Sequence, residues 1–218
     1  MKTLLKRLLN GTITLICASI ILAGAVVTPV FSQTIIEEWD SVKVQPSPGL
    51  KAVKIDPATT ALLLLDFNRQ TCNPERRPRC IASIPAVQKL LTAAREKNVP
   101  VVYSITFGAS KNDIAKELAP LEGEPVVTSG PDKFMGTDLE KILKEKGITS
   151  VIVTGTVSHG AVLYTASGAA LRGMKVIVPV DGMSAENTYA EQYVTWHLAN
   201  APRVSNQVTL TKIEWITF

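Results

Sequence analysis

The stretch VIVTGTVSHGAVLYTASGAALRGMKVIVPVD, residues 151–181, decides the fold. It opens with an apolar run of strand length, passes a turn, continues as a small-residue helix from Ala161 to Gly173 and returns to a second apolar run. Strand, helix and strand in that order form the crossover unit of a parallel sheet. The turn is of the kind that aims a reactive side chain at a substrate, and it offers Ser158, His159, Gly160 and Ala161. A methyl group stands where a nucleophile would be expected.

The same alternation extends upstream and downstream. TTALLLLDFN, residues 59–68, is continuously apolar until Asp66 ends it, the pattern of a strand covered on both faces. IPAVQKLLTAAREKNV (84–99) has helical spacing, VPVVYSITF (99–107) reads as a strand and NDIAKELAPL (112–121) as a short helix. EPVVT (124–128) is a brief strand, and GTDLEKILKEKGI (136–148) a helix with Thr137 as N-cap and Gly147 as C-cap. A helix over 187–201 and a last strand over 207–213 complete the series. Six strands alternating with helices predict an α/β fold, three-layer α/β/α, with a six-stranded mostly parallel sheet. In such sheets the site gathers at the carboxyl ends of the strands. That selects Asp66, the loop after Phe107, the segment 128–134, the turn 156–161 and Asp181. No Gly-x-Gly-x-x-Gly follows the first strand and no Gly-Lys-Ser/Thr loop occurs, so no nucleotide cofactor is expected.

At 218 residues, 46% hydrophobic and 19% charged, the chain has enough apolar material for one globular domain without metal staples. Its first residues place Lys2, Lys6 and Arg7 before an apolar run from Thr12 to Val27, with Val30 and Ser32 beyond. That is the layout of a signal peptide over 1–32, and export to the periplasm or outside the cell is the expectation. An uncleaved membrane anchor is the competing reading, because the run to Phe31 nearly spans a bilayer. Residues 33–57, with Pro46, Pro48 and Pro57, are expected as an arm leading into a domain over 58–218. The formal charge of +4 falls to +1 once the three basic residues of the leader are removed, too little for nucleic acid. A small molecule is the expected partner. Cys17 lies in the leader, leaving Cys72 and Cys80 in TCNPERRPRC. In an exported protein that pair is expected as a disulfide; a metal or reactive thiol pair has no nearby histidine to support it.

LLLLDFN, FMGTDLEKIL and the opening stretch, in this order and spacing, resemble the isochorismatase-like hydrolases, the superfamily of nicotinamidases, carbamoylsarcosine-type amidases and isochorismatases. The resemblance covers roughly residues 58–213 and implies a Rossmann-type sheet. Amidases of that superfamily use an aspartate ending the first strand, a lysine before the Phe-x-Gly-Thr segment and a cysteine at the helix start after the fourth strand. There a thiolate attacks, a carboxylate acts as base and backbone amides hold the oxyanion. Asp66 matches the aspartate. Counting back from Phe134 puts Thr128 or Ser129 in the lysine's place, so Lys133, directly beside Phe134, serves only if the loop is rearranged; otherwise it is a surface lysine. Ala161 occupies the cysteine's place, which excludes a cysteine-amidase mechanism.

The resemblance further implies a cis Thr156–Val157 peptide, with the amides of Val157 and Ala161 forming an oxyanion hole beside Thr156, Ser158, Gly160 and Phe134. True isochorismatases also lack the cysteine, often carry a histidine where His159 stands here, and use the aspartate as a proton donor to a vinyl ether. The nicotinamidase metal site is absent, since SITFGASKND (104–113) has no histidine, and no metal or other cofactor is expected. Ser158 and His159 are the elements of a hydroxyl nucleophile, although sequence neighbours rarely pair productively. His197 reads as a helix-surface residue. The resemblance leaves two functions open, a thiol-free hydrolase with Asp66, His159 and Lys133 at work, or a non-catalytic binding or interaction protein. Oligomerisation through the helix 161–170 is open as well.

Overall fold

The four leucines before Asp66 divide between two cores. Leu63 and Leu65 pack on one side of the sheet with Val151, Val153, Val176 and Val178, while Leu62 and Leu64 pack on the other with Ile152 and Ile177. Successive strand side chains point to opposite faces, so an all-apolar strand needs a layer on each. The computed structural model describes residues 34–218 and provides both layers. The expected signal peptide lies outside the described residues.

Six parallel strands form the sheet: β1 (Thr60–Leu65), β2 (Val101–Ile105), β3 (Val126–Thr128), β4 (Ser150–Thr156), β5 (Lys175–Pro179) and β6 (Val208–Thr211). Their spatial order is β3-β2-β1-β4-β5-β6. A two-residue strand, Met183–Ser184, adds to the upper edge of β4 opposite Gly155 and Thr156. Helix α1 (Pro78–Glu96) covers the face of Leu62 and Leu64 through Ile84, Val87, Leu90, Leu91 and Ala94. Helices α2 (Leu139–Glu145), α3 (Leu163–Leu171) and α4 (Thr188–Asn200) cover the other through Leu139, Leu143, Ala166, Ala169, Val194 and Leu198. The order reverses between β1 and β4, and a crevice opens beyond the strand ends at such a switch point. Asp66 and the turn after Thr156 are the two chain segments that leave the sheet there.

Several elements differ from the sequence expectation. The helix expected over 112–121 is two 3₁₀ turns, Lys111–Asp113 and Lys116–Leu118, because Ile114 is buried in extended backbone and bridges to Asn68. Helix α1 begins six residues before Ile84, at Pro78, whose missing N–H is harmless in the first helical turn. The N-cap of α2 is Asp138, one residue after the expected Thr137, whose Oγ1 accepts from Leu139 N at 3.1 Å, and Gly147 takes φ +66° after α2. The helix expected from Ala161 is a π turn over Ser158–Val162 that feeds α3. Residues 45–57 belong to the compact unit Gln45–Phe218, where Val53–Lys54 pairs with Ile216–Thr217 and Ile55 is buried. In the separate segment 34–44, Thr34 N donates to Glu37 Oε2 at 2.6 Å at the start of a short helix, Ile35–Glu38.

Gly155 sets the closeness of β1 and β4 at the switch point. It pairs with Leu65 at φ +145°, and a Cβ there would lie 2.4 Å from Leu65 O and 2.6 Å from Leu65 Cβ. Gly155→Ala therefore has to push Asp66 away from the β4 turn, and a loss of about 3 kcal/mol or more is expected in denaturant unfolding. Gly108→Ala, at φ +79° in open space, should cost about 1 kcal/mol. Similar losses in both would mean that Gly155 serves conformation alone.

Candidate active site

Asp66 leaves β1 in the left-handed region at φ +56°, where non-glycine residues are uncommon but aspartate is among the best tolerated. Its backbone is held there from both sides. Asp66 N donates to Ser104 O at 3.0 Å, and Thr71 Oγ1 donates to Asp66 O. The carboxylate is buried and takes two further bonds, from Ser104 Oγ to Oδ1 at 2.7 Å and from Lys133 Nζ to Oδ2 at 2.6 Å.

Lys133 is 0% exposed, so the surface reading is corrected and the displaced lysine is the one that meets Asp66. The loop carrying it is pinned at several points. Lys133 Nζ also donates to Gly130 O at 2.8 Å, Lys133 N to Thr165 Oγ1 at 3.3 Å, and Thr137 Oγ1 to Lys133 O at 2.5 Å. Phe134 drives into the core beside α3, with the Arg172 guanidinium 4.4 Å above its ring. Gly168 leaves the room, since a Cβ there would sit 3.3 Å from Phe134 Cδ2. Phe134, expected as a pocket residue, is an anchor in the core and lines a cavity of about 210 Å³ with Leu143 and Ile148. Counting along the chain failed at Lys133 because its long stem, and not its backbone position, brings the ammonium to Asp66.

The turn after β4 holds the other expected residues. The Thr156–Val157 peptide is cis. Thr156 is buried, with Oγ1 donating to Ser184 O at 3.3 Å; Gly160 and Ala161 are buried and Val157 half-buried. Ser158 is fully buried and its hydroxyl has no protein hydrogen-bond partner, whereas His159 is exposed. The two do not form a nucleophile and base pair. His197 lies on α4 against Tyr193, its ring centroid 5.9 Å away, and takes no part in the site.

Ser104, Thr71, Arg77 and Glu186 escaped the sequence reading. Arg77 is 5% exposed at the start of α1 and donates from Nε to Glu186 Oε1 at 2.8 Å and from Nη1 to Thr71 O at 2.8 Å. It sits between Cys72 and Cys80, which form the expected disulfide with Cα atoms 5.4 Å apart. Burial pushes the Asp66 carboxyl up; the charge and hydrogen bond of Lys133, the Ser104 hydroxyl and the charge of Arg77 pull it back, and burial prevails. Partial burial also pushes Glu186 up, but the hydrogen bond and charge of Arg77, helped by His159, bring it below its ordinary value. Among the described residues no group of histidine, cysteine and carboxylate side chains could hold a metal ion.

The Rossmann-type sheet, the aspartate at its switch point and the paired lysine define an α/β protein of hydrolase architecture. The model of the isochorismatase domain matches residues 60–212, and the chain belongs to that family. A secreted isochorismatase effector of Verticillium dahliae is 35% identical over 113 residues, 47% of this chain and 60% of that protein. N-carbamoylsarcosine amidase of an Arthrobacter species is 29% identical over 151 residues, 56% of this chain and 57% of that one. The chain thus spans less than two thirds of these two relatives. The structure of an isochorismatase-like hydrolase from Alkaliphilus metalliredigens superposes with a TM-score of 0.65 at 26% identity, over 72% of this chain and 96% of that one. A cysteine hydrolase from Pseudomonas syringae shares the fold at a TM-score of 0.66 and 21% identity, over 78% and 95%.

Removing Lys133 leaves a buried carboxylate without its counter-charge, so Lys133→Met is expected to cost about 3–5 kcal/mol near neutral pH. A carboxyl raised on folding contributes stability below its unfolded pKa and loses it as the pH rises through the folded one. Without Lys133 the Asp66 carboxyl rises further, so the loss should be larger at about pH 8 than at about pH 4. Chemical denaturation across that range checks it; a pH-independent loss would show that Lys133 acts by packing.

Proposed function

We propose that the chain is an exported hydrolase that works without a covalent thiol on a small carbonyl, amide or vinyl-ether compound. The buried Asp66–Lys133 pair at the switch point carries this reading, because a charge pair removed from water is expensive to keep unless its chemistry is used. Burial raises the Asp66 carboxyl toward the range where it holds a proton that it can give up. With a vinyl ether, that proton passes to the terminal alkene carbon and leaves an oxocarbenium ion. Water adds, its proton returns to the Asp66 carboxylate, and the hemiketal collapses to a carbonyl compound and an alcohol. With a carbonyl or amide substrate, the amides of Val157 and Ala161 would hold the developing oxyanion. No cofactor enters either route.

The Cys72–Cys80 disulfide and the secreted relative support export. No helix among the described residues is long and apolar enough to cross a membrane. A second reading, a binding protein that has lost catalysis, is favoured by one observation, the buried Ala161 methyl group in the thiol's place.

Turnover of amides, vinyl ethers and carboxylate esters by the purified protein separates the two. Asp66→Asn should lower kcat/KM by about 100-fold or more, and an unchanged rate would leave the binding reading. If Asp66 is the acid, kcat/KM falls as the pH rises through its raised pKa; a rate rising over that range would make it the base. Ala161→Cys tests the cradle independently. Its thiol should react with iodoacetamide near neutral pH faster than a free cysteine, and an inert thiol would show that the Lys133 charge does not reach the turn.

A further inference from the structure

Arg77 and Glu186 are unequal partners. The guanidinium is fixed. Its side chain is 6% exposed, Nη1 is tied to Thr71 O, and its backbone is enclosed by the Cys72–Cys80 disulfide and the first turn of α1. The carboxylate is movable. Glu186 lies in the turn between Met183–Ser184 and α4, and its side chain is 34% exposed. Besides its own backbone N–H, its contacts are with arginine, Arg77 Nε and Nη2 at 2.8 and 2.7 Å and the exposed Arg76 Nε at 3.9 Å. The backbone next to it stays in place without it, since Ala185 N donates to Glu191 Oε1, and Glu191 is held by Arg79 Nε at 2.7 Å.

This ion pair is also tied to the backbone of the reacting residue. Arg77 holds Thr71 O, and Thr71 Oγ1 holds Asp66 O, so the guanidinium is two hydrogen bonds from the Asp66 backbone. Glu186 in turn feels the charge of His159 on the β4 turn. A fixed, desolvated guanidinium whose fork is filled by a solvent-reaching carboxylate is a carboxylate subsite occupied by the protein's own side chain.

We infer that Arg77 recognises a carboxylate on the substrate, and that Glu186 fills this subsite until the substrate displaces it. The substrate class narrows to small compounds that bear a carboxylate. The inference rests on the site proposed above being the substrate site, and its test is a binding measurement that needs no turnover. An internal ligand weakens an external one by the fraction of time it occupies the subsite, so removing Glu186 should tighten binding and not loosen it.

The test is calorimetric titration of the full chain with malonamate and succinamate, each against its neutral diamide. Wild type should bind at least one carboxylate about tenfold or more tightly than its diamide, the margin of one charged hydrogen bond. Glu186→Gln should tighten carboxylate binding several-fold and leave the diamides unchanged. Arg77→Met should abolish the preference, and Arg77→Lys should keep part of it. Asp66→Asn should keep the preference even where turnover is lost, which separates this inference from the hydrolytic one. Equal binding of both members of each pair, no binding of either, or weaker carboxylate binding in Glu186→Gln would overturn it; the last would make the Arg77–Glu186 pair purely structural.

Discussion

The contact between Asp66 and Lys133 is the constraint around which the carboxyl edge of the sheet is built. Each charge, moved alone out of water, would cost several kcal/mol, and the pair is tolerable only with close geometry and every remaining polar valence filled. The surroundings supply the close geometry and further partners on both sides. Ser104, one strand over on β2, takes the second carboxylate oxygen, Gly130 O takes the ammonium, and Thr71 and Ser104 fix the aspartate's backbone. Those partners come from β1, β2 and two loops, so the pair forms only after the sheet is paired in register. The apolar anchoring of the lysine loop has the same origin. Phe134 fills the space left by Gly168 on α3, and with its neighbour buried there Lys133 has no route to solvent.

Beside this pair the β4 turn offers a different kind of group. Ala161 brings no reactive atom, Ser158 is buried without a base, and His159 faces water. The arrangement fits the proposed proton transfer with charge stabilisation, a route in which the family's architecture would serve without a thiol. The close approach of β1 and β4 at Gly155 places the aspartate against the turn, whether or not a thiol follows.

The layers and the strand carrying Asp66 were legible in the sequence because they rest on local patterns. Four consecutive leucines ending in a carboxylate specify a doubly covered strand with a polar tip, and alternation of such runs with amphipathic helices specifies parallel connections. What was hidden depends on distance through space. Lys133 was misplaced because its position was counted in residues, whereas the long lysine stem and the loop's fold decide where the ammonium ends. Arg77 and Glu186 are separated by 109 residues and carry no mutual signal. A weaker signal was present, since Arg77 lies between two cysteines and Ser104 is the one serine in the otherwise aliphatic and aromatic run of β2. The helix expected over 112–121 failed for another reason. Its apolar residues satisfy the helical period, but Ile114 is claimed by a bridge to Asn68 in extended backbone.

The disulfide gives the site a dependence on redox environment that its chemistry alone would lack. A loop of this size closed by a covalent bond contributes about 2.5 kcal/mol by restricting the unfolded chain, helpful but modest for a domain with two apolar cores. Its local effect is the larger one. Residues 73–77 contain two arginines next to each other, and unrestrained they would repel and seek solvent, yet Arg77 is held almost fully buried, linked through Thr71 to the Asp66 backbone. Cys72 and Cys80 fix both ends of that segment, and Pro78 fixes its exit into α1. Because a buried guanidinium survives only where its donors are all directed, the covalent bond and the arginine's hydrogen bonds support one another. A protein of this design keeps its anion-facing residue in place most securely where disulfides persist, in an oxidising compartment. The disulfide and the buried arginine thus belong to one physical requirement.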